Sequence, residues 1–344
     1  MTLNIIERNF FRLLRAGSFG SQEQIEPMSA WKWHRLFEHA NRLKLASLLY
    51  DGINACRNQF FMHLTDELLQ EWEQVVQVAE ERNKQAIGEL EELMLTLGEL
   101  QLRPMLMEPW TTASVYDNPT HHPTSRVCIY FPFNTQGKKA DQWAKTNGIK
   151  VDDSHQHFLY YQWKSLSVEH RHRMLLLSNK LNNLTLQNII EKERLEGGTT
   201  HIIIQKHRIE TIAPTLSMLI VLLDIIKHSL TEGIILWKIV DLGILLRKQG
   251  DRVDYVKLQE WIESMHFVKM SQIIGQILIG PLGFSPDEIP FIHPNSGKED
   301  IEDITADIFS TKPPKVTKFL RYCPGESLSS VMVSITRSLE NIEE

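Results

Sequence analysis

Along the first hundred residues apolar side chains recur every three or four positions, the spacing of helices that bury one face. In "AWKWHRLFEHANRLKLASLLYDG", Trp33, Leu36, Phe37, Ala40 and Leu43 fall on one stripe. Ser29 stands where a helix cap belongs and Gly52 where a helix can stop, so the pattern predicts one helix between them. A longer helix is predicted after Thr65. Leu68, Trp72, Val75, Ala79, Ala86, Leu90, Leu93 and Leu97 mark its apolar face. Asp66 and Glu67 lie in its first turn, where the helix dipole favours acidic groups.

The texture changes at Pro104. "MLM" (105–107), "RVCIYF" (126–131), "IKV" (149–151), "QHFLYYQW" (156–163), "SLSVEH" (165–170) and "THIIIQ" (200–205) are short runs bounded by turn residues, and they predict strands. "NKLNNLTLQNIIEKERLEGG" predicts a helix ending at Gly197-Gly198. Helices return from Ile212: "LWKIVDLGILLRKQG" and "DYVKLQEWIESMHF" are amphipathic, with Gly250 between them, and "STKPPK" near 310 marks a break before a helical tail. The expected fold class is α+β. A helical region spans 1–100, an α/β core with a small mixed sheet spans 101–208, and a second helical region spans 209–344. A sheet of about five strands cannot bury both faces alone, so the flanking helices are expected to pack on it.

Composition narrows the function. The net charge is −6 and no long Lys/Arg run occurs. That argues against nucleic acid as a partner, since phosphate neutralisation needs a basic stripe, and it leaves a small anionic ligand or a nucleotide open. Cys56, Cys128 and Cys323 are far apart and form no CxxC pair, so no Cys-rich zinc site is expected and a reduced, cytoplasmic setting fits. "MTLNIIERNFFRLLRAG" places Glu7 and Arg8 inside what a signal peptide would keep apolar. "IAPTLSMLIVLLDIIKHSL" is interrupted by Asp224 and Lys227 well short of the ~20 residues a membrane span needs.

The segment "LRPMLMEPWTTASVYDNPTHHPTSRVCIYFPF" has a strand, a turn, a short helical stretch ending at Tyr116, a Pro-containing loop and a second strand. It resembles the central pattern of a family of bacterial uncharacterised nucleotidyltransferases: a strand ending in Lys-Gly, an Ala and a Tyr on the next helix, and a strand bearing Asp-x-Asp. The resemblance extends further along the chain. Trp33 to Tyr50 is similar to the family's opening helix, "VEHRHR" to a later Val-Glu-x-His strand, "IIKHSLTEGIILWKIVDLGILL" to a helix pair with His228 and Asp241 in matching positions, and "LGFSPDEIPF" to the closing segment. It implies a polymerase-β-type nucleotidyltransferase core and Mg²⁺-dependent transfer of a nucleotidyl group. That chemistry needs hard oxygen ligands, and two carboxylates at i and i+2 on a strand share one face and can share the metals.

The sequence departs from the pattern at each chemical position. Arg126 and Cys128 fall where the two aspartates belong, Glu108 where the lysine belongs, and Pro109 where the glycine belongs. Proline removes an N–H that could bind phosphate. Glu169 matches the later acidic position and is the candidate surviving carboxylate. The first expectation is therefore an inactive relative that binds a ligand or partner in the former nucleotide cleft. An active nucleotidyltransferase with atypical ligands, using Mg²⁺ and Glu169, Glu108 or a residue from the C-terminal helices, is the alternative, and a structural or interaction protein is the second alternative.

The candidate ligand-binding residues are Glu108, Thr111, Thr112, Tyr116, Arg126, His170 and Asp241. Each has a plainer role to set beside it. Arg126 can cap a sheet edge or pair with Glu108; Cys128 can be a small buried hydrophobe. Thr111 and Thr112 can be helix caps, Asp241 and His228 can tie helices together, and His121-His122 is expected at the surface. No metal site is assigned. One conditional cluster exists: if "HQHFLYYQWKSLSVEHRHR" folds as a hairpin with a two-residue turn at Lys164-Ser165, alternation puts His155, His157, His170 and His172 on one face, and a three-residue turn disperses them.

Overall fold

A computed structural model of the chain describes residues 3–60, 62, 64–123, 126–293, 301–310 and 317–323. The "STKPPK" break beyond Ser310 and the tail beyond Cys323 lie outside the described residues. The described chain forms two compact units, one of residues 1–76, 177–192 and 218–344, the other of residues 77–176 and 193–217.

The first unit is helical. Helix α1 (Ile5–Phe19) opens with Asn4, whose side chain accepts from the Ile6 and Glu7 N–H groups while Glu7 reaches back to the Asn4 N–H. This is a reciprocal capping box. The predicted helix after Ser29 is two helices, α2 (Ala30–Arg42) and α3 (Ala46–Ala55). They are separated at Lys44, which takes a left-handed φ of 58°. Gly52, expected to stop a helix, lies inside α3. Its role is contact: a β-carbon on Gly52 would overlap the Leu13 carbonyl of α1, and one on Gly17 would overlap the Leu48 carbonyl of α3. The two glycines let the α1 and α3 backbones touch.

Helix α4 (Asp66–Glu99) follows Thr65, whose hydroxyl accepts from the Leu68 N–H at 3.3 Å. Strand β1 (Met105–Leu106), helix α5 (Trp110–Ala113), strand β2 (Arg126–Tyr130), helix α6 (Asn134–Asn147) and strands β3 (Ile149–Asp152), β4 (Phe158–Trp163) and β5 (Leu166–Arg171) come next. Helix α7 (Lys180–Leu195), strands β6 (Thr199–Ile204) and β7 (His207–Ile212), and helices α8 (Pro214–Ser229), α9 (Leu236–Gln249), α10 (Tyr255–Ser264), α11 (Val268–Ile279), α12 (Ile301–Phe309) and α13 (Thr317–Leu320) complete the order. Helix α6 and strand β7 have no counterpart in the sequence reading.

The fold is α+β, with a five-stranded mixed sheet ordered β1-β2-β5-β4-β3 and a separate β6-β7 hairpin. The central strand β5 runs parallel to β2, with Cys128 opposite Glu169, and antiparallel to β4. β1 and β2 are neighbours as expected, paired Met105 to Tyr130 and Leu106 to Ile129. One sheet face carries Val127, Ile129, Leu159, Tyr161, Leu166 and Val168. These pack against Ala86, Leu90, Leu93 and Leu97 of α4 and Ala140 and Ala144 of α6. The opposite face carries Arg126, Cys128, Tyr160 and Glu169, and the chemistry lies there. Among the described residues no helix is long and apolar enough to cross a membrane.

Candidate functional site

Because β2 and β5 are parallel and in register at Cys128 and Glu169, every second residue of each strand projects to the same side. Arg126 and Cys128 therefore sit together, and Glu169 sits between Arg126 and Arg171. Arg126 Nη1 donates to Glu169 Oε2 at 3.0 Å, and Arg171 Nε donates to Glu169 Oε1 at 2.8 Å. The Cys128 sulfur lies 3.8 Å from Glu169 Oε2, and Arg171 Nη2 donates to that sulfur at 3.2 Å. Each oxygen of the carboxylate is thus taken by a guanidinium. Glu169 is 2% exposed. Burial alone would push its carboxyl up; the charges of Arg171 and Arg126, with their hydrogen bonds, outweigh burial and hold it below its ordinary value.

Aromatic rings flank this cluster. The Arg126 guanidinium lies 5.3 Å from the Tyr160 ring centroid and that of Arg171 lies 6.0 Å from Phe158. Such stacking fixes the plane of a guanidinium. Burial, then the Glu169 charge, pushes the Tyr160 hydroxyl up to about 12, so it stays protonated in neutral solution. The Arg126 side chain, at 51%, remains half exposed.

The Arg126–Glu108 pair weighed from the sequence is not made. Glu108 instead caps the four-residue helix α5, accepting from the Thr112 N–H at 2.9 Å and from the Thr112 hydroxyl. Its other oxygen accepts from Ser217 Oγ at 3.1 Å. Thr111 and Thr112 are buried, as is Tyr116, which stands edge-on to His122 at 4.9 Å. His121 and His122 are buried rather than at the surface. The reason is α4: Asn83 Nδ2 donates to the Thr120 and His122 carbonyls at 2.6 and 3.0 Å, and Glu80 lies 2.9 Å from His121 Nε2. Asp241 is buried on α9 in the first unit, and His228 Nδ1 bonds the Asp224 carbonyl of its own helix at 2.7 Å.

The hairpin has the two-residue turn that aligns the four histidines, with Trp163 opposite Leu166 and Lys164 at a φ of 53°. They nevertheless do not converge. The His172 N–H still donates to the His157 carbonyl at 3.0 Å, one pair past Phe158 and Arg171, but His155 lies beyond the pairing. His155 stands edge-on to Tyr160, on the Arg126 side, with ring centroids 5.5 Å apart. His170 and His172 turn instead to Asp141 of α6, at 3.3 and 2.7 Å, and Tyr161 bonds the far nitrogen of His170 at 2.8 Å. Burial holds His170 below its ordinary value against the opposing pull of Asp141, so it is neutral near pH 7. Burial opposes ionisation of Asp141 too, but hydrogen bonds from the two histidines bring it down to about 2. Among the described residues no group of three or more His, Cys, Asp or Glu is placed to hold a metal ion.

Sequence reading identified Arg126, Cys128 and Glu169 but not Arg171, Tyr160 or Asp141. The signal for Arg171 was present as the two-residue spacing in Glu169–His170–Arg171. Using it required knowing that β5 pairs with β2 across 35 intervening residues (131–165), which periodicity does not give. No curated protein and no solved structure matches the chain. A family model does, over residues 29–277, most of the chain and all of the sheet described above. The chain belongs to the uncharacterised nucleotidyltransferase family.

Proposed function

We propose that this member of the family is catalytically silent, with a side-chain cation in the position of the metal, and that it uses the Arg126 face to bind a ligand or partner. The ion pair between Arg126 of β2 and Glu169 of β5 carries the reading. The residues do not fit Mg²⁺. The metal requires hard oxygen donors, and Glu169, the one carboxylate at the site among the described residues, already accepts from two guanidiniums. A divalent ion drawn in beside Arg126 would also face a fixed positive charge, a repulsion of several kcal/mol at ~4 Å even at a surface-like dielectric. Glu108, the other acidic candidate, is engaged by Thr112 and Ser217. Without paired metals the cluster has no group to activate an attacking oxygen among the described residues.

The test is direct. Purified protein incubated with labelled nucleoside triphosphates and Mg²⁺ should label neither itself nor small-molecule acceptors. Mg²⁺-dependent labelling that disappears in Glu169→Ala would overturn the proposal in favour of an active enzyme with atypical ligands.

A further inference from the structure

We propose that the sheet face around Arg126 is a receptor for a free phosphoryl oxyanion, one that arrives without a metal. This rests on the reading that the site's own cation has replaced the metal. Charge comes first. Among the described residues Arg126 pairs with one carboxylate, Glu169, and shares it with Arg171, so its positive charge is only partly offset. Donor capacity comes second. A guanidinium has five N–H donors. Among the described residues Arg126 spends a hydrogen bond only on Glu169, through Nη1, so its Nε and Nη2 donors are unused. Third is preorganisation. The Glu169 bond and the Tyr160 ring fix the guanidinium before any ligand arrives, which reduces the entropy lost on binding. The half-exposed side chain is reachable from solvent.

Two oxygens of one anion lying in the guanidinium plane satisfy such a fork. A phosphoryl group supplies them with more charge than a carboxylate, and a site whose positive charge is only partly offset favours the more highly charged anion. The threonines expected to assist cannot: Thr112 is buried and bound to Glu108, and Thr111 is buried beside it. The receptor therefore depends on the guanidinium. A Mg²⁺-bound phosphate has had its charge offset and brings a cation toward Arg126, so Mg²⁺ should weaken binding here, the reverse of its effect on a metal-dependent site.

Calorimetric titration of the full chain with pyrophosphate, inorganic phosphate and acetate, at fixed ionic strength, tests the inference. In EDTA pyrophosphate should bind, phosphate more weakly and acetate least. Excess Mg²⁺ should lower the pyrophosphate affinity several-fold. Arg126→Gln should lower it roughly tenfold or more, the loss expected for a charge-assisted pair, with Arg126→Lys between. Unchanged circular dichroism separates loss of binding from loss of fold. Absence of binding in EDTA, acetate binding as tightly as pyrophosphate, or full affinity in Arg126→Gln would overturn the inference while leaving the catalytically silent reading intact. Binding that requires Mg²⁺ would contradict both.

Discussion

A carboxylate that is 2% exposed, like Glu169, keeps its charge only where donors replace the water it has lost, and here Arg126 and Arg171 do so. Glu169→Gln would leave two guanidiniums facing a neutral amide. Removing one partner from a buried charged cluster costs ~3–5 kcal/mol. Equilibrium urea unfolding should show a loss of about that size, and a loss below about 1 kcal/mol would mean that the cluster is solvated rather than buried. Asp141 gives a second residue-scale expectation, in acid. Its carboxyl is lowered from the ordinary 3.8 to about 2 by His170 and His172 after burial has opposed it. A depressed carboxyl contributes stability above its unfolded value and loses it as pH falls through the folded one. The contribution, roughly 2 kcal/mol, should be fully present above about pH 4 and fade toward pH 2. Asp141→Asn should flatten the stability-versus-pH curve in that window. An unchanged slope would show that the two histidines do not hold the carboxylate.

At the scale of elements, legibility followed the strength of the local pattern. All five strands of the main sheet were visible because each is a short apolar run between turn residues, and α4 because its stripe repeats over 34 residues. Helix α6 was not, since it buries only Gly137, Ala140 and Ala144 among polar neighbours and so lacks an apolar stripe. It supplies Asp141, and with it went the partner of both histidines. β7 was hidden because "HRIETI" carries polar residues at four of six positions and only its pairing with β6 makes it a strand. The break at Lys44 was obscured because the stripe continues from α2 into α3 across it. The role of Gly52 was likewise invisible, since its constraint is the α1 backbone and not its own helix. Gly17→Ala and Gly52→Ala should each destabilise the helical unit by ~1–3 kcal/mol, the usual cost of overpacking, whereas alanine in an open helix position would stabilise. Urea melts of the two variants check this, and a gain in stability would show that the crossing of α1 and α3 is looser than described. Gly137→Ala should act locally, because a β-carbon there would displace the His172 ring from Asp141.

Taken as a whole, the molecule sets a buried acid against two guanidiniums on one face of its main sheet. Strands β2 and β5 present two positions on one strand opposite one on the next. Those positions are Arg126, Cys128 and Glu169, and the acid accepts from the arginine. The two-residue spacing of Arg126 and Cys128 was visible in the sequence; their partner was not, because parallel pairing between distant strands is a tertiary fact. The decisive property is whether the face accepts a divalent cation. Mn²⁺ titration followed by electron paramagnetic resonance measures this, comparing the natural chain with an Arg126→Asp/Cys128→Asp variant that places two carboxylates beside Glu169. No Mn²⁺ should bind at this face in the natural chain at millimolar concentration, and the double variant should bind Mn²⁺ that Mg²⁺ displaces. Mn²⁺ held by the natural chain and released by Glu169→Gln would contradict this, whatever the double variant does.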